Sequence, residues 1–405
     1  MTVKPVCAEE DLRAAYASRE HGVGVEEQKS LGPGFSFRLN SRLPALDGLR
    51  GFAILAVLIY HYAGGLTRQS GGTAISWAAS LIGMGWTGVD LFFVLSGFLI
   101  TGILYDSRKT PRYFSNFYMR RALRIFPAFY LLVAIYLVLS PYLHVQWRGA
   151  HLFFLIYLGY PAALIWPVLE STGPLPLVHS WSLCAEEQFY LVWPWIVARA
   201  RKVKSLVLTS LGLGLIAILL RIAVISSHSL QASWAHGFLL CRLDALAFGA
   251  ILALLARTHL YIHLRRWSTA VFIVSTAGFL TICLLRRSVD MYDSLIATLG
   301  YSLVAIGYGS LLIGCLEAGM WPYRFFSGRV LRLFGKYSYG MYLYHLPIAG
   351  LIHPAKEILV RQTKSSVAGG VAYLFAAIAI NLLIACISFH LFENPILRVK
   401  SRFQS

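Results

Sequence analysis

Residues 46–65 read LDGLRGFAILAVLIYHYAGG, an apolar stretch long enough to cross a bilayer that nevertheless carries Asp47, Arg50 and His61. Taken as one helix, eleven steps at 3.6 residues per turn return the chain to within about 20° of its starting face, so Arg50 and His61 project the same way. Asp47 lies one turn before Arg50 on that stripe. An Arg or Asp at bilayer depth costs roughly 2.5–3.5 kcal/mol on insertion scales, so the stripe is expected to face a wet cavity or a charged partner. That makes it the leading candidate for a working site.

The rest of the chain supports a membrane setting. Hydrophobic residues make up 57% of the 405, charged residues 13%, and the mean hydropathy is +0.63. An ordinary soluble core carries nearer 45–50% apolar residues, so an all-α polytopic membrane bundle is expected. The first 42 residues are charged and lack a continuous apolar core; they read as a solvated cytoplasmic tail without a cleavable signal. The six cysteines, Cys7, Cys184, Cys241, Cys283, Cys315 and Cys386, form no C-x-x-C pair, which indicates neither a metal site nor a disulfide framework. The net charge of +18 sits in short runs beside hydrophobic segments and not in one patch interleaved with aromatics. Membrane orientation explains such runs better than nucleic acid does.

Apolar stretches fall near 47–65, 86–105, 124–143, 150–168, 183–198, 205–225, 236–256, 268–285, 293–316, 336–353 and 368–391. Both the run from Arg108 to Arg124 and the run from Arg199 to Lys204 are expected in the cytoplasm under the positive-inside rule. Three crossings between them would put them on opposite sides. The segment 150–168 holds Gly159, Pro161 and Pro167, and backbone broken in that way survives at membrane depth only where protein or water satisfies it. It is therefore read as a re-entrant or interfacial element, leaving about ten spans with both termini cytoplasmic. A membrane domain is expected over 43–396, followed by a short basic cytoplasmic tail over 397–405.

Orientation sets depth. Arg50 falls near the cytoplasmic end of the first span, and His61 lies about 16 Å further toward the outer leaflet. An imidazole, with a reference pKa near 6.5, can take a proton near neutral pH and return it. In YMRRALRIFP, Arg121 and Arg124 are one turn apart with Arg120 beside them, a fork suited to phosphate, although membrane anchoring also explains a basic run. In HSWSLCAEEQFYLVWPW, Ser182 and Glu186 share a face and Glu187 points elsewhere. Glu186 is placed to orient an imidazole or hold a sugar hydroxyl, with Trp181 as a stacking face; Ser182 also suits a helix cap. Arg242 and Asp244, about 200° apart on one helix, need different partners. Ser338, Tyr342 and His345 fall on one stripe, and Asp90 and Ser96 add polar groups to the second span.

Together these motifs resemble the acyltransferase 3 family of integral membrane O-acyltransferases. The resemblance rests on LDGLRG with ten residues between its arginine and the histidine, GVDLFFVLSGFLI, FYMRRALRIFP, WSLCAEEQFYLVWP, RLDALAFGA, GKYSYGMYLYHLPI and FENP, in order over residues 44–395. It implies transfer of an acyl group, often acetyl, from acyl-coenzyme A on the cytoplasmic side to a hydroxyl of a carbohydrate or glycosylated acceptor in the bacterial inner membrane. By position, His61, Arg50 and Glu186 match the family's catalytic residues, and Arg121 and Arg124 its acyl-donor pair. Asp47, Trp181, Ser182, Tyr342 and His345 are taken as substrate-binding. No metal is implied. The chain ends soon after FENP, so the soluble C-terminal domain of some members is not expected here, and a separate protein is expected for further acceptor handling. The rival reading is a transporter or flippase, against which no inverted repeat is detectable.

Overall fold

The computed structural model describes residues 43–63, 79–143, 152–158, 177–227, 232–399 and 403, and regular structure among them is helical. Helix α1 (Pro44–Ala63) is followed by a helical segment over Ala79–Ser107 that tightens into a 3-10 turn at Met84–Thr87 before α2 (Gly88–Ser107). Then come α3 (Tyr113–Leu143), the single turn α4 (Leu152–Leu155), α5 (Trp181–Arg199) and α6 (Val203–Ser226). The short α7 (Ala232–Gly237) leads into α8 (Leu239–Leu255) and α9 (Tyr261–Arg286). A π turn at Ile296–Gly300 opens α10 (Tyr301–Gly314), and α11 (Trp321–Phe326), α12 (Arg329–Thr363) and α13 (Ser366–Ser388) follow. A second π turn, Phe389–Glu393, ends in α14 (Asn394–Arg398).

Eight helical segments among the described residues are long and apolar enough to cross a membrane, and the protein is a polytopic helical bundle. α5 and α12 are also long but less apolar. The 35 residues of α12 span about 52 Å at 1.5 Å each, beyond a hydrocarbon core of about 30 Å. The expected element at 150–168 is described only around α4; residues 159–176 and the expected tail 1–42 lie outside the described residues. Cys241, Cys283, Cys315 and Cys386 are free thiols.

The central α2 is buried over most of its length, whereas peripheral helices bury only a stripe. On α6 the buried positions are Leu206, Ser210, Ala217, Arg221 and Val224, one helical face, while Leu208, Leu211, Leu215, Leu219 and Ile222 are exposed. α1 lies along both α2 and α12, α2 along α8, α8 along α6 and α10, and α12 along α13. The α1–α12 contact is a backbone contact. Gly51 meets the Leu331 carbonyl and Gly335 meets the Asp47 carbonyl, with no room for a Cβ at either position. Such approach lets packing, the main attraction between helices in lipid, act over the full interface, and it brings the Asp47–Arg50 turn against the base of α12.

Opposed charges lock the other half. Arg242 of α8 pairs with Asp90 of α2, both wholly buried, and its guanidinium lies 3.9 Å from the centroid of the Tyr301 ring. Asp244, on the other side of α8, accepts from Arg221 of α6 at 2.8 Å and from Ser302 at 2.7 Å. Arg221 further donates to the Cys241 carbonyl at 2.6 Å and the Thr298 carbonyl at 3.1 Å. The different partners expected for Arg242 and Asp244 thus come from α2 and α6, and the network is a structural clasp.

Candidate active site

Between α1, α12, the second π turn and α14 lies a cavity of about 790 Å³. Arg50, Arg124, Arg329, Arg332 and Lys336 line it, opposed by the carboxylates of Asp47 and Glu393. Arg329, Arg332 and Lys336 follow one face of the first two turns of α12. Arg50 has a partner in Asp47 at 3.4 Å, whereas Arg124, Arg329, Arg332 and Lys336 form no ion pair with a described residue. Unpaired cations around a hollow of ligand size suit a polyanion.

A smaller cavity of about 110 Å³ adjoins it and shares Arg50, Arg124 and Tyr339 as lining. The Tyr339 hydroxyl donates to the Ile125 carbonyl at 2.6 Å, tying α12 to α3 beside Arg124. Beyond that throat the wall changes character, combining Phe92, Phe93, Ile125 and Leu183 with Ser96, Ser182, Glu186 and Tyr342. Glu186 accepts from Ser96 at 2.6 Å and from Tyr190 at 3.0 Å, and Arg121 lies 5.4 Å from the centroid of the Tyr190 ring. Arg121 and Arg124 also line a pocket of about 50 Å³ with Thr110, Tyr113 and Asn116.

Tyr342, in the wall of the smaller cavity, leads into a cluster of three imidazoles. Ser182 and Tyr342 share a hydrogen bond of 2.6 Å, and the Tyr342 hydroxyl donates to the His179 carbonyl at 2.5 Å. The His345 ring lies 5.4 Å from the Tyr342 ring, 5.1 Å from His179 and 4.7 Å from His61. His61 Nδ1 sits 2.9 Å from the Val57 carbonyl. A carbonyl only accepts, so Nδ1 carries the hydrogen and Nε2 of the neutral ring holds the lone pair, as a general base requires. His61 is exposed whereas His345 is fully buried. Among the described residues no group of three His, Cys, Asp or Glu side chains is arranged to hold a metal ion.

The sequence-predicted residues therefore fall in three places. Asp47, Arg50 and Arg124 border the basic cavity, and Arg50, Arg121, Arg124, Ser182, Glu186 and Tyr342 border the smaller one. His61 and His345 meet in the imidazole cluster, outside both cavity linings. Glu186 is held by a hydroxyl from α2 and one from its own helix and touches no imidazole among the described contacts. Trp181 is buried, with its ring 4.4 Å from His236 and 6.0 Å from Phe93. The sequence alone does not assign His179, Tyr339 or Glu393 to the site, and it marks the run from Arg324 to Lys336 only as cytoplasmic. Arg329, Arg332 and Lys336 do show a signal, a spacing of three and four that puts them on one helical face, but basic residues at a helix end also mark topology.

Fold and site together define a helical membrane protein in which a cation-lined cavity shares arginine lining with a smaller, polar chamber. The chain belongs to the acyltransferase family: the family described as "Acyltransferase domain" matches residues 43–388. The peptidoglycan O-acetyltransferase OatA of Listeria monocytogenes serovar 1/2a is 30% identical over 369 residues, covering 87% of this chain and 56% of that protein. The putative peptidoglycan O-acetyltransferase YrhL of Bacillus subtilis is 30% identical over 375 residues, covering 87% and 55%. The O-acetyltransferase OatA of Staphylococcus aureus is 28% identical over 327 residues, covering 76% and 50%. The chain spans about half the length of these curated relatives. No solved structure matches it. Its apolar helices and bacterial relatives identify an integral membrane protein of the bacterial cytoplasmic membrane.

Proposed function

We propose that the protein transfers an acetyl or other short acyl group from acyl-coenzyme A to a hydroxyl of a cell-envelope carbohydrate, with His61 as general base. The observation that carries this reading is the shared lining of the two cavities: Arg50, Arg124 and Tyr339 border both the basic cavity and the polar chamber. The donor's phosphates would meet Arg124, Arg329, Arg332 and Lys336, with Arg121 beside them, and its thioester arm would pass Arg50. Names of the relatives support a glycan acceptor such as peptidoglycan, and favour an enzyme over a transporter.

In the reaction His61 Nε2 removes the acceptor's hydroxyl proton, and the oxygen attacks the thioester carbonyl. The carbon–sulfur bond breaks, and the leaving thiolate takes the proton back from His61. Asp47 holds the Arg50 guanidinium at the throat, and Ser182 and Tyr342 line the chamber where the acyl group would arrive. Glu186, fixed by Ser96 and Tyr190, is assigned to aligning the acceptor.

The test is to incubate purified protein in lipid nanodiscs with radiolabelled acetyl-coenzyme A and glycan fragments. Thioester cleavage with label on the glycan is expected, and it should vanish in His61→Ala. Label moving across a sealed vesicle without cleavage would overturn the enzymatic reading.

A further inference from the structure

We propose that His345 is the positioning residue for His61, its buried Nε2 steadying the positive charge that His61 acquires on taking the acceptor's proton; this rests on the general-base reading above. The two rings lie 4.7 Å apart between centroids and are tilted by 64°. His345 has no exposed surface, so it has no face to offer a substrate. Its Nδ1 stands 2.5 Å from the Tyr342 carbonyl. That carbonyl has no proton to give, so Nδ1 carries the hydrogen and Nε2 is left with a lone pair. Nε2 is buried and meets no hydrogen-bond partner. A buried acceptor left unpaired is costly, and such groups call for a functional explanation.

His179 is built in the same way. Its Nε2 stands 3.0 Å from the Leu343 carbonyl, its Nδ1 is buried without a partner, and its ring backs His345 at 5.1 Å. Backbone carbonyls thus fix the tautomers of two neutral rings, each with an unused lone pair in the cluster beside His61. No Asp or Glu contacts any of the three rings among the described hydrogen bonds and ion pairs, so the carboxylate that orients many catalytic histidines is not what does so here. Fixed imidazole dipoles take that place, acting on the charge of the transition state without having to reorganise. Protons balance throughout: one passes from the acceptor oxygen to His61 Nε2 and then to the thiolate sulfur, while His345 keeps its own.

Two substitutions separate this role from packing. In His345→Asn the amide nitrogen can replace Nδ1 against the Tyr342 carbonyl, but nothing replaces Nε2. In His345→Gln the amide reaches the Nε2 position with an acceptor oxygen. Steady-state acetyl transfer by both purified variants is expected to show kcat reduced about a hundredfold in His345→Asn and within about tenfold of wild type in His345→Gln, with KM for acetyl-coenzyme A unchanged in both. Wild-type kcat in His345→Asn overturns the proposal, as do equal losses in two folded variants. If His345→Asn fails to fold, a hundredfold loss in folded His345→Gln overturns it. An inactive His61→Ala beside a fully active His345→Asn removes this inference alone, whereas an active His61→Ala removes the general-base reading and this inference with it.

Discussion

Two groups of charge in this bundle are built in opposite ways. Between α2, α6, α8 and α10, Asp90, Arg242, Arg221 and Asp244 are paired one to one and closed off from solvent. Between α1, α3 and α12, Arg124, Arg329, Arg332 and Lys336 stand around an open cavity and form no ion pair with a described residue. The same residue types serve as a clasp in the first group and as a receptor in the second. The difference teaches that a charge in a membrane helix is informative only once its partner is known, because a paired charge has spent its field and an unpaired one keeps it for a ligand.

The comparison breaks most sharply at the chamber it leaves out. His61→Ala is expected to lower acetyl transfer by at least roughly 10²- to 10⁴-fold, the ordinary contribution of a general base, with thermal stability held. Label transfer and a melting curve on the same preparation check both halves. Within the clasp, Asp244→Ala strands Arg221 and should cost about 3–5 kcal/mol of stability, read as a large fall in the unfolding temperature in detergent. Replacing Asp90 and Arg242 together by apolar residues of similar volume should recover most of the stability that Asp90→Ala alone loses. Equal losses in single and double variants would mean that the clasp contributes more than paired charge.

In the receptor the effects should appear in binding and not in stability. Arg332→Ala removes one charge-assisted contact worth about 1.5–3 kcal/mol, so KM for acetyl-coenzyme A should rise roughly 10- to 100-fold with the melting temperature nearly unchanged. A drop in melting temperature with KM intact would place Arg332 among the structural charges. The smallest effect belongs to a surface pair: Arg265 and Glu317 sit 3.6 Å apart and Arg265 is exposed, so Arg265→Ala should change stability by less than about 1 kcal/mol.

Much of this was legible along the chain. The Asp47–Arg50 turn is one helical step, and the structure pairs the two at 3.4 Å. The separation of Glu186 from Glu187 also followed from helical angle, and only Glu186 borders the chamber. The partners of Glu186 were not legible, since Ser96 lies on another helix and nothing in either segment sets their relative height. Arg221 gave no sign of its role, being a lone cation in the apolar run LLRIAV whose partner Asp244 comes from α8. His179 stands in the turn before α5, where no periodicity assigns it a face.

Sequence by itself determined that the chain is a membrane bundle and that Arg50 and His61 look the same way, because hydropathy and the 3.6-residue repeat act over neighbouring positions. Only the tertiary structure decided which charges meet across helices, that Arg50 and Arg124 border two cavities at once, and that His61 joins His179 and His345. Those outcomes depend on how far each helix slides along its neighbour. In α1 and α12 that register is held by the backbone contact at Gly51 and Gly335, a fit between surfaces far apart in the chain.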